Sequence, residues 1–199
     1  MLAVPRPKQL KRIIPAVASL GVDRVVLTGA ARVEKSYFDS RVLAAEFLDE
    51  LVTLGLEQAC DTVLDRIAED GLSPDEVPAV FVRGSADWPI CAAAISLQPE
   101  LHRFIETTLP SWEGAGALRL VPHPYAEAPL TPVPATRHLT LAIGPDGGWV
   151  PAELALFERH GFTPVSLGRR VLRGEVAVPA IIGALRAAAR EGAEQHREP

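Results

Sequence analysis

One stretch of the sequence decides the fold class. Residues 139–185 are LTLAIGPDGGWVPAELALFERHGFTPVSLGRRVLRGEVAVPAIIGAL. Two strand-like runs within it, Leu139–Ile143 and Thr163–Leu167, each break at glycine, the first at GPDGG (144–148) and the second at Gly168. Glycine-broken strand ends beside helix starts are where a parallel α/β sheet binds a small ligand, because main-chain N–H groups can approach the ligand without a Cβ between them. The stretch therefore predicts a ligand site at one edge of a sheet.

Strand and helix patterns alternate along the rest of the chain. Short β-branched or apolar runs predict strands at 24–28, 95–98 and 117–121. Amphipathic periodicity predicts helices at 8–20, 41–60, 99–109, 151–161 and 175–190. This alternation predicts one α/β domain with a mainly parallel sheet flanked by helices.

Three features of the predicted helices need a structural explanation. Pro15 should kink the first helix, because proline removes a backbone hydrogen bond. Gly55 should cost the second helix about 1 kcal/mol relative to alanine. The last helix has a wide apolar face around Ile181 and Leu185, which must be covered by its own sheet or by a second subunit.

Composition excludes several classes of protein. The chain has 199 residues, 48% of them hydrophobic, with no run of about 18 apolar residues that could cross a membrane. Its net charge of −5 argues against general nucleic-acid binding, although Arg169, Arg170 and Arg173 form a local basic cluster. Two cysteines, Cys60 and Cys91, have neither metal-site nor disulfide spacing. We expect a cytoplasmic protein without a metal ion.

The two glycine loops resemble those of the RsmE-type RNA uridine-N3 methyltransferases, which belong to the SPOUT class. In that family the first loop is close to I-G-P-E-G-G and the second close to L-G-x-R-I-L-R-x-E-T-A, against IGPDGG (143–148) and LGRRVLRGEVA (167–177) here. Further similarity covers residues 2–12, 21–39 and 55–64. The resemblance implies a C-terminal trefoil knot in the parallel sheet and a homodimer of catalytic domains.

The resemblance also implies a reaction and a cofactor. The enzymes of this family transfer a methyl group from S-adenosylmethionine to N3 of a uridine in small-subunit (16S) ribosomal RNA. Glycine main-chain groups would hold the adenosine, and Val171 and Leu172 would form apolar walls for the adenine. The expected cofactor-binding residues are His123, Pro124, Ile143, Gly144, Pro145, Asp146, Gly147, Gly148, Leu167, Gly168, Val171, Leu172 and Arg173.

Arg173 and Glu175 are the candidate catalytic residues. Arg173 follows the second loop and could stabilise negative charge on the uracil oxygens, or it could instead form an ion pair with Glu175. Glu175 could accept the N3 proton, or it could stabilise the first turn of the last helix. Asp146 could bind loop amides or the cofactor, or it could be an ordinary turn residue.

Several ring side chains have competing interpretations. His123 lies where the family has a third cofactor-side loop, although a histidine in a turn is more often structural. Tyr37, Phe38 and Trp149 could stack on a splayed-out base, with core packing as the alternative. The other four histidines have no partner at catalytic spacing.

This sequence departs from the family pattern in four places. Family members usually begin with a PUA-like RNA-binding domain, which we expect to be absent here, and residues 69–94 have no counterpart and are predicted to be an insertion. Asp146 replaces glutamate and Val176 replaces threonine. The alternative function is therefore a non-catalytic SPOUT relative that binds cofactor or RNA without turnover. A dinucleotide-binding oxidoreductase is disfavoured, because GPDGG is not G-x-G-x-x-G.

Overall fold

Six short strands form the centre of the part of the molecule that the structure describes. The computed structural model describes residues 1–59, 94–113, 116–131 and 138–194, with side chains as far as Leu185. The strands are β1 (Leu2–Ala3), β2 (Arg24–Thr28), β3 (Ala94–Gln98), β4 (Leu118–Pro122), β5 (Leu139–Leu141) and β6 (Phe162–Val165). Cys60, Cys91 and nearly all of the predicted insertion lie outside the described residues.

All strand pairs in this sheet are parallel. β2 lies between β1 and β3, and β4 lies between β5 and β6. The two groups of three strands are joined where Ala3 N–H donates to Ile143 O (2.9 Å) and Ile143 N–H donates to Met1 O (3.0 Å). The spatial order is therefore β3-β2-β1-β5-β4-β6, and the predicted parallel α/β sheet is confirmed.

Five helices among the described residues flank the sheet. They are α1 (Pro7–Ser19), α2 (Ala45–Gln58), α3 (101–112, with a π-type turn at Phe104–Thr108), α4 (Pro151–Arg159) and α5 (Gly174–Glu194). The predicted start of α2 at Arg41 was wrong. Residues Arg41–Leu43 form a separate 3₁₀ turn, whose Val42 N–H donates to Ser40 Oγ (3.3 Å), and Ala44 is extended, so the α-helix cannot begin before Ala45.

Alternating strand residues separate two cores. Val25 and Leu27 face the core formed with α1, α2 and the start of α5, whereas Val26 between them faces α3 and α4. In β4, Leu120 packs with α5 and Val121 packs with α4. Successive side chains of a strand point to opposite faces, so this pattern produces three layers with the sheet in the middle.

The apolar face of α5 covers the sheet of its own chain. Ile181 and Leu185 are buried in one cluster with Leu120 and Val165. The sequence allowed two partners for this face, the sheet of the same chain or a second subunit. In the described side chains the partner is the sheet. No described helix has the length and apolar character needed to cross a membrane.

Gly55 and Pro15 meet where α1 crosses α2. A Cβ on Gly55 would lie 2.3 Å from the carbonyl oxygen of Pro15 and 2.7 Å from the Cβ of Ala18. α1 continues through Pro15 to Ser19. The glycine that looked costly within its helix is thus what permits the two helices to touch.

Candidate active site

Three loops leave the sheet at one edge. β4 leads into His123-Pro124, β5 into residues 143–148 and β6 into residues 167–173. Because the strands are parallel and β4 lies between the other two, the three loops are neighbours. His123 N–H donates to Val165 O (2.8 Å), which joins the first of these loops to the end of β6. The sequence-predicted cofactor residues are therefore together in space.

The first loop turns around its glycines. Gly148 N–H donates to Pro145 O (2.8 Å), and Gly148 has a φ of 71°, which favours glycine. A Cβ on Gly144 would lie 3.2 Å from the indole nitrogen of Trp149. Trp149 is buried, and its Nε1 donates to Ala142 O (3.4 Å). Core packing is thus the role of Trp149 in this structure, and Gly144 leaves room for its ring.

The second loop combines a glycine turn with exposed apolar side chains. Gly168 has a φ of 114°, and its N–H donates to Ser166 Oγ (3.0 Å). Leu167 and Leu172 are partly exposed and Val171 is 69% exposed. Exposed apolar side chains beside a glycine main chain are suited to a flat apolar ring.

Both candidate carboxylates contact the side of α1. Asp146 Oδ1 accepts from Gln9 Nε2 (3.1 Å), and Asp146 Oδ2 lies 3.4 Å from Arg6 Nε. Glu175 Oε1 accepts from Arg12 Nη1 (3.3 Å). Positions 6, 9 and 12 follow one side of α1, because residues three apart are neighbours on a helix. α1 therefore connects the first loop to the start of α5.

Arg173 and Glu175 are not paired with each other among the described residues. The main-chain oxygen of Arg173 accepts from Val176 and Ala177, so Arg173 directs the first turn of α5 while its side chain is exposed. Glu175 is only 16% exposed, and its Oε2 is buried with no hydrogen-bond partner in the part of the chain that the structure describes. The structure thus leaves the Arg173 guanidinium exposed and one Glu175 carboxylate oxygen unpaired among the described residues.

His123 has a defined orientation. Its Nδ1 accepts from Tyr125 N–H (3.4 Å), so in the neutral ring the proton is on Nε2. The Tyr125 ring lies edge-to-face with the imidazole (centroids 5.8 Å apart) and is 80% exposed. Tyr37 and Phe38, the other stacking candidates, are partly buried against the core of α1 and α2. Sequence reasoning missed Tyr125, although its place after His123-Pro124 was a usable signal.

Two further residues that sequence reasoning missed support the first loop and the segment that follows it. Glu153 accepts from Ala31 N–H through Oε1 (2.7 Å) and from Val150 N–H through Oε2 (2.8 Å). Its position three residues after the helix cap was a sequence signal for the second contact. Arg32 donates through Nη1 to Gly147 O. Arg32 lies in the segment 21–39 that resembles the family, but that resemblance did not predict this contact, which spans 115 residues.

The titratable residues of this region do not form a metal centre. Among the described residues, no group of three or more histidine, cysteine, aspartate or glutamate side chains could hold a metal ion.

Similarity to known proteins agrees with this geometry. Residues 93–186 match the family model of the RNA methyltransferase domain. The chain is 32% identical over 177 residues to ribosomal RNA small subunit methyltransferase E of Treponema pallidum, covering 89% of this chain. The chain is therefore similar to this RNA methyltransferase family over most of its length. A shorter match, 51% identical over 39 residues, links it to the Synechocystis methyltransferase E.

Two solved structures have the same fold. The Neisseria gonorrhoeae methyltransferase E bound to S-adenosylmethionine superposes with a TM-score of 0.68 at 15% identity, covering 94% of this chain and 63% of that one. A Legionella pneumophila protein described as a methyltransferase, in complex with the same cofactor, gives 0.64 at 21% identity, covering 94% and 64%. The fold is thus of the SPOUT type. The chain spans only 57% of the length of its Treponema relative.

Proposed function

We propose that this chain is the catalytic domain of a cytoplasmic methyltransferase that uses S-adenosylmethionine to methylate N3 of a uridine in 16S ribosomal RNA. The observation that carries the proposal is the position of the three loops. They follow β5, β4 and β6 in adjacent positions at one edge of the sheet, where main-chain groups can surround a small ligand.

The residues at this edge fit the proposed cofactor. The exposed Leu167, Val171 and Leu172 offer apolar contact for an adenine ring, and the glycines beside them leave the main chain accessible. When bound, S-adenosylmethionine would supply an electrophilic methyl group on a positively charged sulfur. The buried Oε2 of Glu175 is an acceptor that needs a donor, which either the cofactor or the RNA could provide.

The side chains at this edge suit a reaction at an imide nitrogen. N3 of uracil attacks well only after losing its proton, and negative charge then spreads to the neighbouring oxygens. The exposed guanidinium of Arg173 would stabilise those oxygens. Oε2 of Glu175 would accept the proton. Holding the base in line with the methyl group would supply much of the remaining acceleration.

A second copy of the chain and a knotted C-terminal segment are parts of this proposal. The exposed Val171 and Val176 lie near the start of α5 and are not covered by described residues of the same chain. A partner domain on that surface would cover both valines. It would also place its own second loop near the second loop of the first subunit. A trefoil knot formed by β6 and α5 would hold the second loop against β4.

Methyl transfer from labelled cofactor tests the proposal. Calorimetry should first show that the chain binds S-adenosylmethionine but not NAD. Tritium should then pass from labelled S-adenosylmethionine to 16S ribosomal RNA or to the assembled small subunit, and nuclease digestion should recover it in N3-methyluridine. The assay is run with this chain and with any upstream coding region restored.

The outcomes separate the proposal from its alternative. Cofactor binding without labelled RNA, even with the upstream region restored, would favour a non-catalytic relative. Label in another nucleoside would retain the methyltransferase and overturn the uridine-N3 target. Binding of NAD instead of S-adenosylmethionine would overturn the cofactor.

A further inference from the structure

We propose that Arg32 is a positioning residue that holds the peptide group between Gly147 and Gly148 in one conformation. If the proposed function holds, this is the conformation required for cofactor binding. Arg32 lies in the loop after β2, far from both glycine motifs in the sequence. Its Nη1 donates to Gly147 O, and its aliphatic stem lies across Gly147. A Cβ on Gly147 would be 3.0 Å from Arg32 Cδ and 3.3 Å from Arg32 Cβ.

The peptide group that Arg32 contacts has unusual freedom. It has glycine on both sides, so rotation of the whole peptide plane meets little steric resistance. Two hydrogen bonds oppose that rotation. The N–H of the group, on Gly148, donates to Pro145 O (2.8 Å), and its carbonyl, on Gly147, accepts from Arg32. Without Arg32, only the bond to Pro145 would hold this plane.

Arg32 is itself held by the neighbouring main chain. Ala31 N–H donates to Glu153 Oε1 (2.7 Å), and Glu153 Oε2 accepts from Val150 at the start of α4 (2.8 Å). Val33 N–H donates to Ala30 O (3.0 Å). The loop after β2 and the segment after the first glycine motif therefore share one carboxylate. Arg32 extends from this fixed point to the flexible peptide group.

Loss of the Arg32 side chain should therefore weaken cofactor binding more than it lowers the free energy of unfolding. A loop held in its ligand-binding conformation loses less conformational entropy when the ligand binds. Arg32 is exposed, so its bond should contribute little to global stability. Cofactor affinity should instead depend on it, because a bond from a charged donor holds a main-chain group that surrounds the ligand.

The test compares Arg32→Met with Arg32→Lys in the full chain. Methionine keeps an apolar stem and removes the donor, whereas lysine keeps both a stem and a charged donor. We expect Arg32→Met to weaken S-adenosylmethionine binding about tenfold by calorimetry, the scale of one hydrogen bond from a charged group. Arg32→Lys should recover most of the loss. Arg159→Met, at the exposed end of α4, is the matched control and should bind normally.

A second measurement does not depend on the cofactor. Hydrogen exchange at the Gly148 amide, measured in cofactor-free protein, should become about tenfold faster in Arg32→Met, because the peptide plane loses one of its two bonds. Unchanged exchange would overturn the positioning role even if the protein never binds S-adenosylmethionine. Faster exchange with unchanged affinity would overturn the link to binding. Absence of binding by the wild-type chain would count against the proposed function alone.

Discussion

Arg12 in α1 and Glu175 in α5 are in contact across 163 residues of sequence, with 3.3 Å between Nη1 and Oε1. Glu175 is largely buried, whereas Arg12 is 73% exposed. The contact occupies one carboxylate oxygen and leaves Oε2 without a partner among the described residues. A candidate proton acceptor is therefore oriented by a helix near the start of the chain.

Breaking this pair should reveal a coupling between α1 and α5. Arg12→Met should reduce the free energy of unfolding by about 1 kcal/mol at most, because solvent around the exposed Arg12 screens the pair. In a Glu175→Gln background the same change should have almost no effect. Denaturant unfolding of the four variants measures the coupling, and Lys8→Met, on the exposed side of α1, is the control. Equal losses in both backgrounds would show that Arg12 acts through packing instead.

Arg173→Ala should separate binding from turnover. Its guanidinium has no described partner, so the loops should keep their geometry and S-adenosylmethionine affinity should remain within a few-fold. Turnover should fall by at least about a hundredfold, the scale of losing one donor that stabilises developing charge. Single-turnover methylation gives the rate and calorimetry gives the affinity, with Arg159→Ala as control. An equal loss of affinity and rate would make Arg173 a structural residue.

Asp146→Ala should weaken cofactor binding. The change releases both Gln9 and Arg6 from the first loop, so the loop loses its connection to α1. Asp146→Asn keeps an acceptor for Gln9 and should lose less affinity than the alanine variant. Calorimetry at low and high salt separates the contribution of the Arg6 contact from that of the Gln9 contact, because only the contact with Arg6 is ionic. Wild-type affinity in Asp146→Ala would leave Asp146 as a turn residue.

Gly55→Ala and Gly183→Ala should change stability in opposite directions. A Cβ at position 55 would lie 2.3 Å from the Pro15 oxygen, so the helices must separate, at a cost of about 1–3 kcal/mol. A Cβ at position 183 meets nothing within 4 Å, and alanine is favoured over glycine in a helix by about 1 kcal/mol. Thermal unfolding should show a lower melting temperature for the first variant and a higher one for the second. Stabilisation by both would mean that α1 and α2 are not tightly packed.

Sequence patterns were most reliable where the relevant interactions are local. The helix at α4 was predictable from Pro151 and the apolar spacing behind it, and β2 was predictable from its β-branched residues. The parallel sheet followed from the alternation of such elements. The start of α2 was wrong because Ser40 and Ala44 stabilise a separate turn, a choice that apolar periodicity does not report.

The candidate site was predictable in part for the same reason. Two glycine motifs revealed the loops after β5 and β6, since a glycine requirement is visible in the chain itself. The family resemblance covered the segments 2–12 and 21–39, but it did not predict their contacts with the site. Arg6 and Gln9 contact Asp146, Arg12 contacts Glu175 and Arg32 contacts Gly147, each across more than 100 residues. An exposed arginine has the same appearance in a sequence whether or not it has a distant partner.

By itself, the sequence determined the class of fold and the two glycine loops, because both depend on short-range periodicity and on backbone freedom at particular residues. Only the tertiary structure decided that β4 lies between the two strands that carry those loops and that α1 contacts both candidate carboxylates. It also assigned Trp149 to the core and the apolar face of α5 to the sheet. These outcomes depend on which surfaces meet when the layers pack, and that information is distributed over the whole chain.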